Sequence, residues 1–384
     1  MFTDLQTIKK LEPNIPCYCF EVERFKDNIE RLKDLFLPGI QLLFSVKANP
    51  FFAEAAVKYA DGIEICSDGE LSIAAKYNII PDKITYGGIC KERNDLQRAL
   101  RLGVKRFSIE SPRQLVMLNE EAMRSNVQIK VLLRLSLGNQ FGMTVEEFNW
   151  CTVNLKSENI NISGVHFYPG TMRMSPEQVD KDFNMFMSLL ESLNYPGIEE
   201  IAYGAGIGVN YFGEYNQWKA AERAAERLNG LSKQYKVAYE AGRMFASDAG
   251  IYIAKVVDVR QNGNRCFAIL NGGRHQFTYH GGIAALGKRT PQISVVGDEI
   301  SREKKKITIV GSLCSESDIF LNDNIIDDIR EGDYIVFRNA GGYCVTEGMA
   351  LFLSRDIPAI FLEQDGIIEL KRSKDINEWI DKLY

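Results

Sequence analysis

From Leu42 to about Gly242 the chain alternates short apolar runs with polar segments of helix length, and this alternation restricts the fold more than any other feature. The runs are "LLFSVKA", "GIEICS", "ITYGG", "RFSIES", "KVLLRLS", "ISGVHFY", "EEIAYGAG" and "KVAYEAG". Between them lie stretches such as "PFFAEAAVKYA", "GELSIAAKYN" and "NDLQRALRLG", whose apolar residues recur at three-to-four spacing and whose ends carry Gly or Asn. Continuous apolar runs separated by amphipathic helices describe strands buried on both faces of a parallel sheet. Eight such units in about 200 residues match an α/β TIM (β/α)8 barrel at the compact end of its size range. Active-site residues are then expected at the C-terminal ends of the strands, so the run ends are where chemistry is sought.

Beyond Arg243 the texture changes to β-rich stretches punctuated by Gly, Asp and Asn, among them "AGIYIAKVVDVRQNGNRCFAILNGG", "KKITIVGSLC" and "GDYIVFRNAGGYC". This predicts a C-terminal β domain of sandwich or small-barrel type. We divide the chain into a barrel over 24–243 and a β domain over 1–23 and 244–384; "CYCFEV" near the N-terminus is compatible with either. A net charge of −5 offers no footprint for nucleic acid, and the one dense basic run, "REKKKITI", reads as a solvated loop or edge. No leader-like segment and no apolar run of membrane-spanning length is seen, which points to a cytoplasmic protein. The eight cysteines are scattered and read mostly as buried thiols, and no metal site is expected.

Three run ends carry chemistry. "FSVKANP" sets Lys47 at the end of a buried strand, where a lysine either keeps its ammonium in water along an apolar stem or loses its charge and becomes the nucleophile of a Schiff base. "YEAGR" ends the eighth run with Glu240, a carboxylate that needs a cationic partner, either Arg243 at the rim or a pyridinium nitrogen. "YGAGIG" ends the seventh with glycines that let main chain approach an anion. Those glycines fail the dinucleotide fingerprint, whose third position is here Val209. Loops after the seventh and eighth strands are the usual phosphate site of the barrel. A lysine, a phosphate cradle and a carboxylate together suit the aldehyde, phosphate and ring nitrogen of pyridoxal 5'-phosphate.

As a set these motifs resemble the fold-type III pyridoxal-phosphate-dependent decarboxylases, the family of ornithine, arginine and diaminopimelate decarboxylases, from about Cys17 to about Phe352. The resemblance implies that Lys47 is the Schiff-base lysine and that Gly204, Ala205 and Gly206 hold the phosphate. It implies Glu240 at the pyridine nitrogen, with Gly242 and Arg243 near the phosphate. "IEICSDGE" and "LLRLS" fall where the family has pocket residues, implying roles for Glu64, Ser67 and Arg134. "NAGGYC" resembles the segment of the cofactor-contacting tyrosine, here Tyr343, and "GSLCSESD" the segment whose cysteine, here Cys314, reaches the partner subunit's active site and donates a proton. Taken alone, Cys314 and Tyr343 would read as a small buried residue and a core tyrosine. The resemblance further implies a homodimer with shared active sites.

Two departures bear on the substrate. "HFYPGT" puts Tyr168 where the family stacks a histidine on the ring, with His166 two residues earlier and Thr171 in place of a serine. A similar arrangement occurs in a butirosin-pathway relative that acts on a glutamyl group held by an acyl-carrier protein. Members acting on basic amino acids place an acidic residue directly after the cysteine, whereas Ser315 follows here, with Glu316 and Asp318 beyond it, the three forming the candidate substrate contacts. The expected activity is decarboxylation of a small-molecule or carrier-tethered amino acid, with no nucleic-acid or membrane partner. The rivals are an amino-acid racemase, which opposes the ring nitrogen with arginine, and a non-catalytic pyridoxal-phosphate-binding homologue. His275 and His280 read as surface or interface residues.

Overall fold

Eight parallel strands close into a barrel, and they are the eight apolar runs. In chain order they are Gln41–Ser45, Gly62–Ile65, Ile84–Tyr86, Arg106–Ile109, Ile129–Arg134, Ile160–Phe167, Glu200–Tyr203 and Lys236–Ala241, called strands one to eight below. The computed structural model describes residues 2–213, 215–279, 289–298, 302–348 and 350–375. The chain divides into two compact units. One comprises Lys26–Val209 and Tyr215–Phe245 and holds the barrel; the other comprises Met1–Phe25, Asn210–Glu214 and Ala246–Tyr384, so far as these are described.

Local chemistry sets where the barrel helices start and stop. Ser111 accepts the amide of Gln114 and precedes Pro112, a residue with no N–H to lose at a helix start, and Asn126 ends that helix in the left-handed region at φ 50°. Thr144 with Glu147 and Ser175 with Gln178 form reciprocal capping boxes. Inside the barrel, Leu43, Leu132, Ala202 and Ala238 make a buried cluster from strands one, five, seven and eight. Strands six and seven run in register at Gly164 and Glu200, and a Cβ at Gly164 would overlap the Glu200 carbonyl oxygen.

The other unit is built on a nine-stranded, mostly antiparallel sheet. Its N-terminal strand Cys17–Glu21 lies inside the sheet, antiparallel to Gly250–Asn262 and parallel to Ala359–Gln364. Aromatic residues fill its core: Tyr252 stacks on Phe277 with ring centroids 4.9 Å apart, and Phe337 packs on Phe277 at 4.9 Å and on Phe320 at 5.0 Å.

Three sequence readings are corrected here. The basic run is an interior strand, Lys304–Val310, paired on both sides; its lysines stay exposed beside Asp327, Asp328 and Asp323, while Arg302 is buried against Asp333. His275 is buried, at 1% exposure, because it lies in a segment anchored by Phe277 and Tyr279, and burial lowers its pKa to about 4. His280 lies outside the described residues. Of the cysteines only Cys17, Cys19, Cys151 and Cys344 are buried, and Cys90 is exposed like Cys314. Among the described residues no helix is long and apolar enough to cross a membrane.

The close approach at Gly164 is testable. Gly164→Ala forces strands six and seven apart and is expected to destabilise the protein by about 1–3 kcal/mol, read as a lower urea midpoint. An unchanged midpoint would mean the strands adjust freely at this point.

Candidate active site

The C-terminal mouth of the barrel gathers three carboxylates that the fold takes out of water, and each is matched by a named partner. A buried carboxylate without one would carry a large desolvation cost.

Glu64, on strand two, is 4% exposed. Lys47 leaves strand one on a short 3-10 turn, Val46–Ala48, and its Nζ lies 3.2 and 3.1 Å from the two Glu64 oxygens. The same Nζ is 3.4 Å from Cys66 Sγ, and that thiol donates to Glu64 Oε1 at 3.0 Å. Burial opposes the ionisation of Glu64, yet the Lys47 ammonium, Ser45, Cys66 and His166 together hold its carboxyl well below the usual range. Burial, with Glu64 alongside, pushes the Cys66 thiol well up, so it stays protonated.

Glu240, on strand eight, is 7% exposed, and its Oε2 lies 3.1 Å from His166 Nε2. The other ring nitrogen of His166, Nδ1, is 2.6 Å from Ser108 Oγ. Glu240 Oε1 is buried and has no hydrogen-bonding partner among the described residues. A buried carboxylate oxygen without a donor is an incomplete interaction, of the kind a protonated ring nitrogen would complete.

Glu110 follows strand four and accepts Arg134 Nη1 at 2.9 Å and the Gly142 amide at 3.1 Å. The Arg134 guanidinium lies 4.8 Å from the Phe141 ring centroid and 6.0 Å from that of Tyr168. Beside this pair is Lys91, buried in the loop after strand three, with Nζ donated to the Gly88 carbonyl and to Gln114 Oε1. Burial lowers the Lys91 pKa to about 8, against the opposing pull of Glu110.

Two loops interlock at the ends of strands six and seven. Tyr168 covers Gly204, where a Cβ would come within 2.8 Å of its ring. Gly206 has φ 62°, and a Cβ on it would overlap the Gly170 carbonyl oxygen. Ala205 between them does not have a positive φ, so alanine fits there without strain. Arg173 joins the loops: its amide donates to Gly206 O, its carbonyl accepts the Gly208 amide, and its guanidinium donates to Pro169 O and Asp182. Thr171 is exposed in the same loop, and its carbonyl oxygen accepts Arg173 Nη1 at 3.3 Å. Gly242 and Arg243 are buried directly after strand eight. Ser67 is exposed and caps the helix Asp68–Lys76 by accepting the Glu70 amide.

In the β unit, Cys314, Ser315 and Glu316 are exposed on one loop. Asp318 is buried at the loop's end, its Oδ1 accepting the Arg274 amide and its Oδ2 the Leu313 amide, each at 2.8 Å. Its carboxylate therefore braces the loop from within. Tyr343 is half-buried at φ 68°, a conformation costing roughly 1–3 kcal/mol for a side chain of this size, and its carbonyl accepts the amides of Thr346 and Glu347.

Sequence reasoning missed Ser108, Glu110, Cys66, Lys91 and Arg173, and left His166 without a role. Ser108 and Glu110 alternate at period two within "RFSIES", as His166 and Tyr168 do in "GVHFY", and inward-facing polar residues at that spacing were the available signal. Lys91 and Arg173 sit on loops, where no periodicity marks them.

Known proteins share this sequence pattern and fold. Residues 22–247 match the family described as pyridoxal-dependent decarboxylase, pyridoxal binding domain. The chain is 26% identical to a diaminopimelate decarboxylase of Aquifex aeolicus over 99% of its own length and 94% of the relative's. It is 24% identical to the L-glutamyl-(BtrI acyl-carrier protein) decarboxylase of Niallia circulans, covering 94% of this chain and 91% of that one. The crystal structure of a diaminopimelate decarboxylase from M. jannaschii superposes with a TM-score of 0.85 at 21% identity, over 98% of this chain and 93% of the other, and so shares the fold.

The Glu64 environment carries a pH prediction. Because the folded carboxyl ionises more readily than in the unfolded chain, its contribution to stability is complete above about pH 4.5 and fades as pH falls toward about 2. Glu64→Gln is expected to be less stable than wild type at pH 7 and to lose less stability between pH 4.5 and 2, in denaturation series across that range. Parallel acid-loss curves for the two proteins would contradict it.

Proposed function

The chain belongs to the pyridoxal-dependent decarboxylases, and from that membership we propose that it cleaves the α-carboxylate, as carbon dioxide, from an amino acid or amino-acid derivative that lacks a free distal ammonium group. The observation that carries the reading is Glu240 Oε1, a buried carboxylate oxygen on a strand of the barrel with no donor among the described residues. The residues present fit pyridoxal 5'-phosphate: Lys47 for the aldehyde, the main chain at Gly204, Ala205 and Gly206 for the phosphate, and Glu240 for the ring nitrogen. When bound, the cofactor supplies an electron sink for the pair left behind as the Cα–carboxylate bond breaks.

The chain's own groups do the rest. Lys47 holds the cofactor, and Glu64 keeps the lysine head at the mouth until it is engaged. Glu240 holds a proton on the ring nitrogen; a racemase would have arginine there, and this carboxylate argues for decarboxylation. Tyr168 contributes the flat apolar surface against which a ring packs, with Arg134 beside it. Gly206 keeps the phosphate loop open, since a side chain would collide with Gly170. Gly242 and Arg243 lie directly beyond Glu240, where Arg243 adds positive charge for the phosphate. Cys314 delivers the proton to Cα, in a homodimer from the partner subunit, and Tyr343 is, by resemblance, the cofactor-contacting tyrosine.

The substrate class follows from the Cys314 loop. Basic amino acids call for a carboxylate there, but Ser315 follows the cysteine, and both Asp318 oxygens already accept main-chain amides. This leaves the uncharged hydroxyl of Ser315, rather than Glu316 one residue further along, to meet a neutral, acidic or conjugated side chain, and the carrier-bound glutamyl substrate of the Niallia relative is of that kind.

Two measurements test the reading. Purified protein given the cofactor is expected to show its near-visible absorption, and Lys47→Ala to lose it; retention in the variant would remove Lys47 from the role. Carbon dioxide release is then assayed across free and carrier-tethered amino acids, with acidic or conjugated substrates expected to exceed lysine, ornithine and diaminopimelate. Cys314→Ala should bind cofactor normally and fail at Cα protonation; Cα proton exchange without carbon dioxide release in wild type would favour a racemase instead.

A further inference from the structure

Glu64, Ser108, His166 and Glu240 come from strands two, four, six and eight, and alternate strands of a barrel contribute the side chains of one layer. In this barrel that layer is polar, and three of its members are joined in a chain: Ser108 Oγ to His166 Nδ1 at 2.6 Å, and His166 Nε2 to Glu240 Oε2 at 3.1 Å. Exposures of 2%, 3% and 7% leave little water to compete for these atoms.

We infer that Ser108 and His166 are positioning residues, which act through Glu240 by fixing which of its carboxylate oxygens meets the ring nitrogen of the cofactor. The inference rests on the cofactor reading above and goes beyond it, because neither residue touches the cofactor in that reading.

The hydrogen-bond directions follow from the chemistry of the groups. An ionised Glu240 only accepts, so the proton between it and His166 is on Nε2. In the neutral ring Nδ1 is then an acceptor, and the group facing it is the Ser108 hydroxyl, which donates. The serine thus selects the tautomer that the glutamate requires. With Oε2 engaged by this donor, Oε1 is the oxygen with no hydrogen-bonding partner among the described residues, and its direction is set by a ring that is itself held at both nitrogens. A glutamate side chain has three rotatable bonds; tied at one oxygen, it presents the other at a fixed point before any ligand arrives. That is preorganisation of an electrostatic contact, which contributes most where water is excluded.

Three variants and one double variant test this. His166→Phe keeps the ring and removes the donor, and is expected to lower kcat by roughly 10- to 100-fold, the range for one hydrogen bond to a charged group, with KM within about twofold. The near-visible spectrum of the bound cofactor should change with it, a signature read without turnover. His166→Gln, whose side-chain amide reaches the position of Nε2, should recover most of kcat and the wild-type spectrum. Ser108→Ala should show a smaller change of the same kind. Since the serine acts through the histidine, Ser108→Ala combined with His166→Phe should be no worse than His166→Phe alone.

Additive losses in the double variant, equal impairment by Phe and Gln, or a wild-type spectrum in His166→Phe would each overturn the inference. A wild-type protein that never develops cofactor absorption would instead bring down the cofactor reading and this inference together, so the two failures are distinguishable.

Discussion

A carboxylate brought to the end of a parallel barrel loses most of its hydration and must find its counter-charge or donors within the protein. This barrel does so three times, at Glu64, Glu110 and Glu240, and the rest of the mouth is arranged around the answers. Glu64 is met by Lys47 and a thiol, Glu110 by Arg134 and a main-chain amide, Glu240 by His166 on one oxygen. The first two are complete. The third is half complete, and the asymmetry turns an ordinary pattern of buried ion pairs into a site with a direction. Removing one partner from such a pair generally costs more than the pair contributes, because it leaves the other charge buried without compensation.

The glycine turn after strand seven illustrates a second constraint, close approach of main chain. Gly204 and Gly206 are needed for different reasons: the first because the Tyr168 ring lies over it, the second because it has a positive φ and meets the Gly170 carbonyl oxygen. Arg173 then ties the two loops with main-chain and guanidinium bonds, so the glycine turn and the loop that covers it are parts of one hydrogen-bonded unit.

Much of the barrel was legible because buried parallel strands and amphipathic helices leave opposite signatures, and eight repetitions of that contrast admit few folds. Lys47, Glu240 and the glycine turn were legible because they end three of the runs. His275 was misread since a histidine among Arg, Gln and Thr looks solvated, whereas the aromatic residues at Phe277 and Tyr279 draw its segment into the sheet core. The basic run was misread as a solvated loop or edge for the converse reason: although "KKITIVGSLC" reads as a β stretch, three exposed lysines hide that it is interior to the sheet, with Ile307 and Ile309 fully buried.

The sequence by itself determined the order of strands, the identity of the residues at their ends, and the resemblance that names the cofactor, since each depends on neighbours a few residues apart along the chain. Only the tertiary structure decided which of those residues meet. Ser108, His166 and Glu240 are separated by 58 and 74 residues, and what joins them is closure of the barrel, which turns side chains from alternate strands toward a common axis. Spacing along a chain holds no record of that closure, so the free oxygen of Glu240 and the two residues that aim it could be found only in the folded protein.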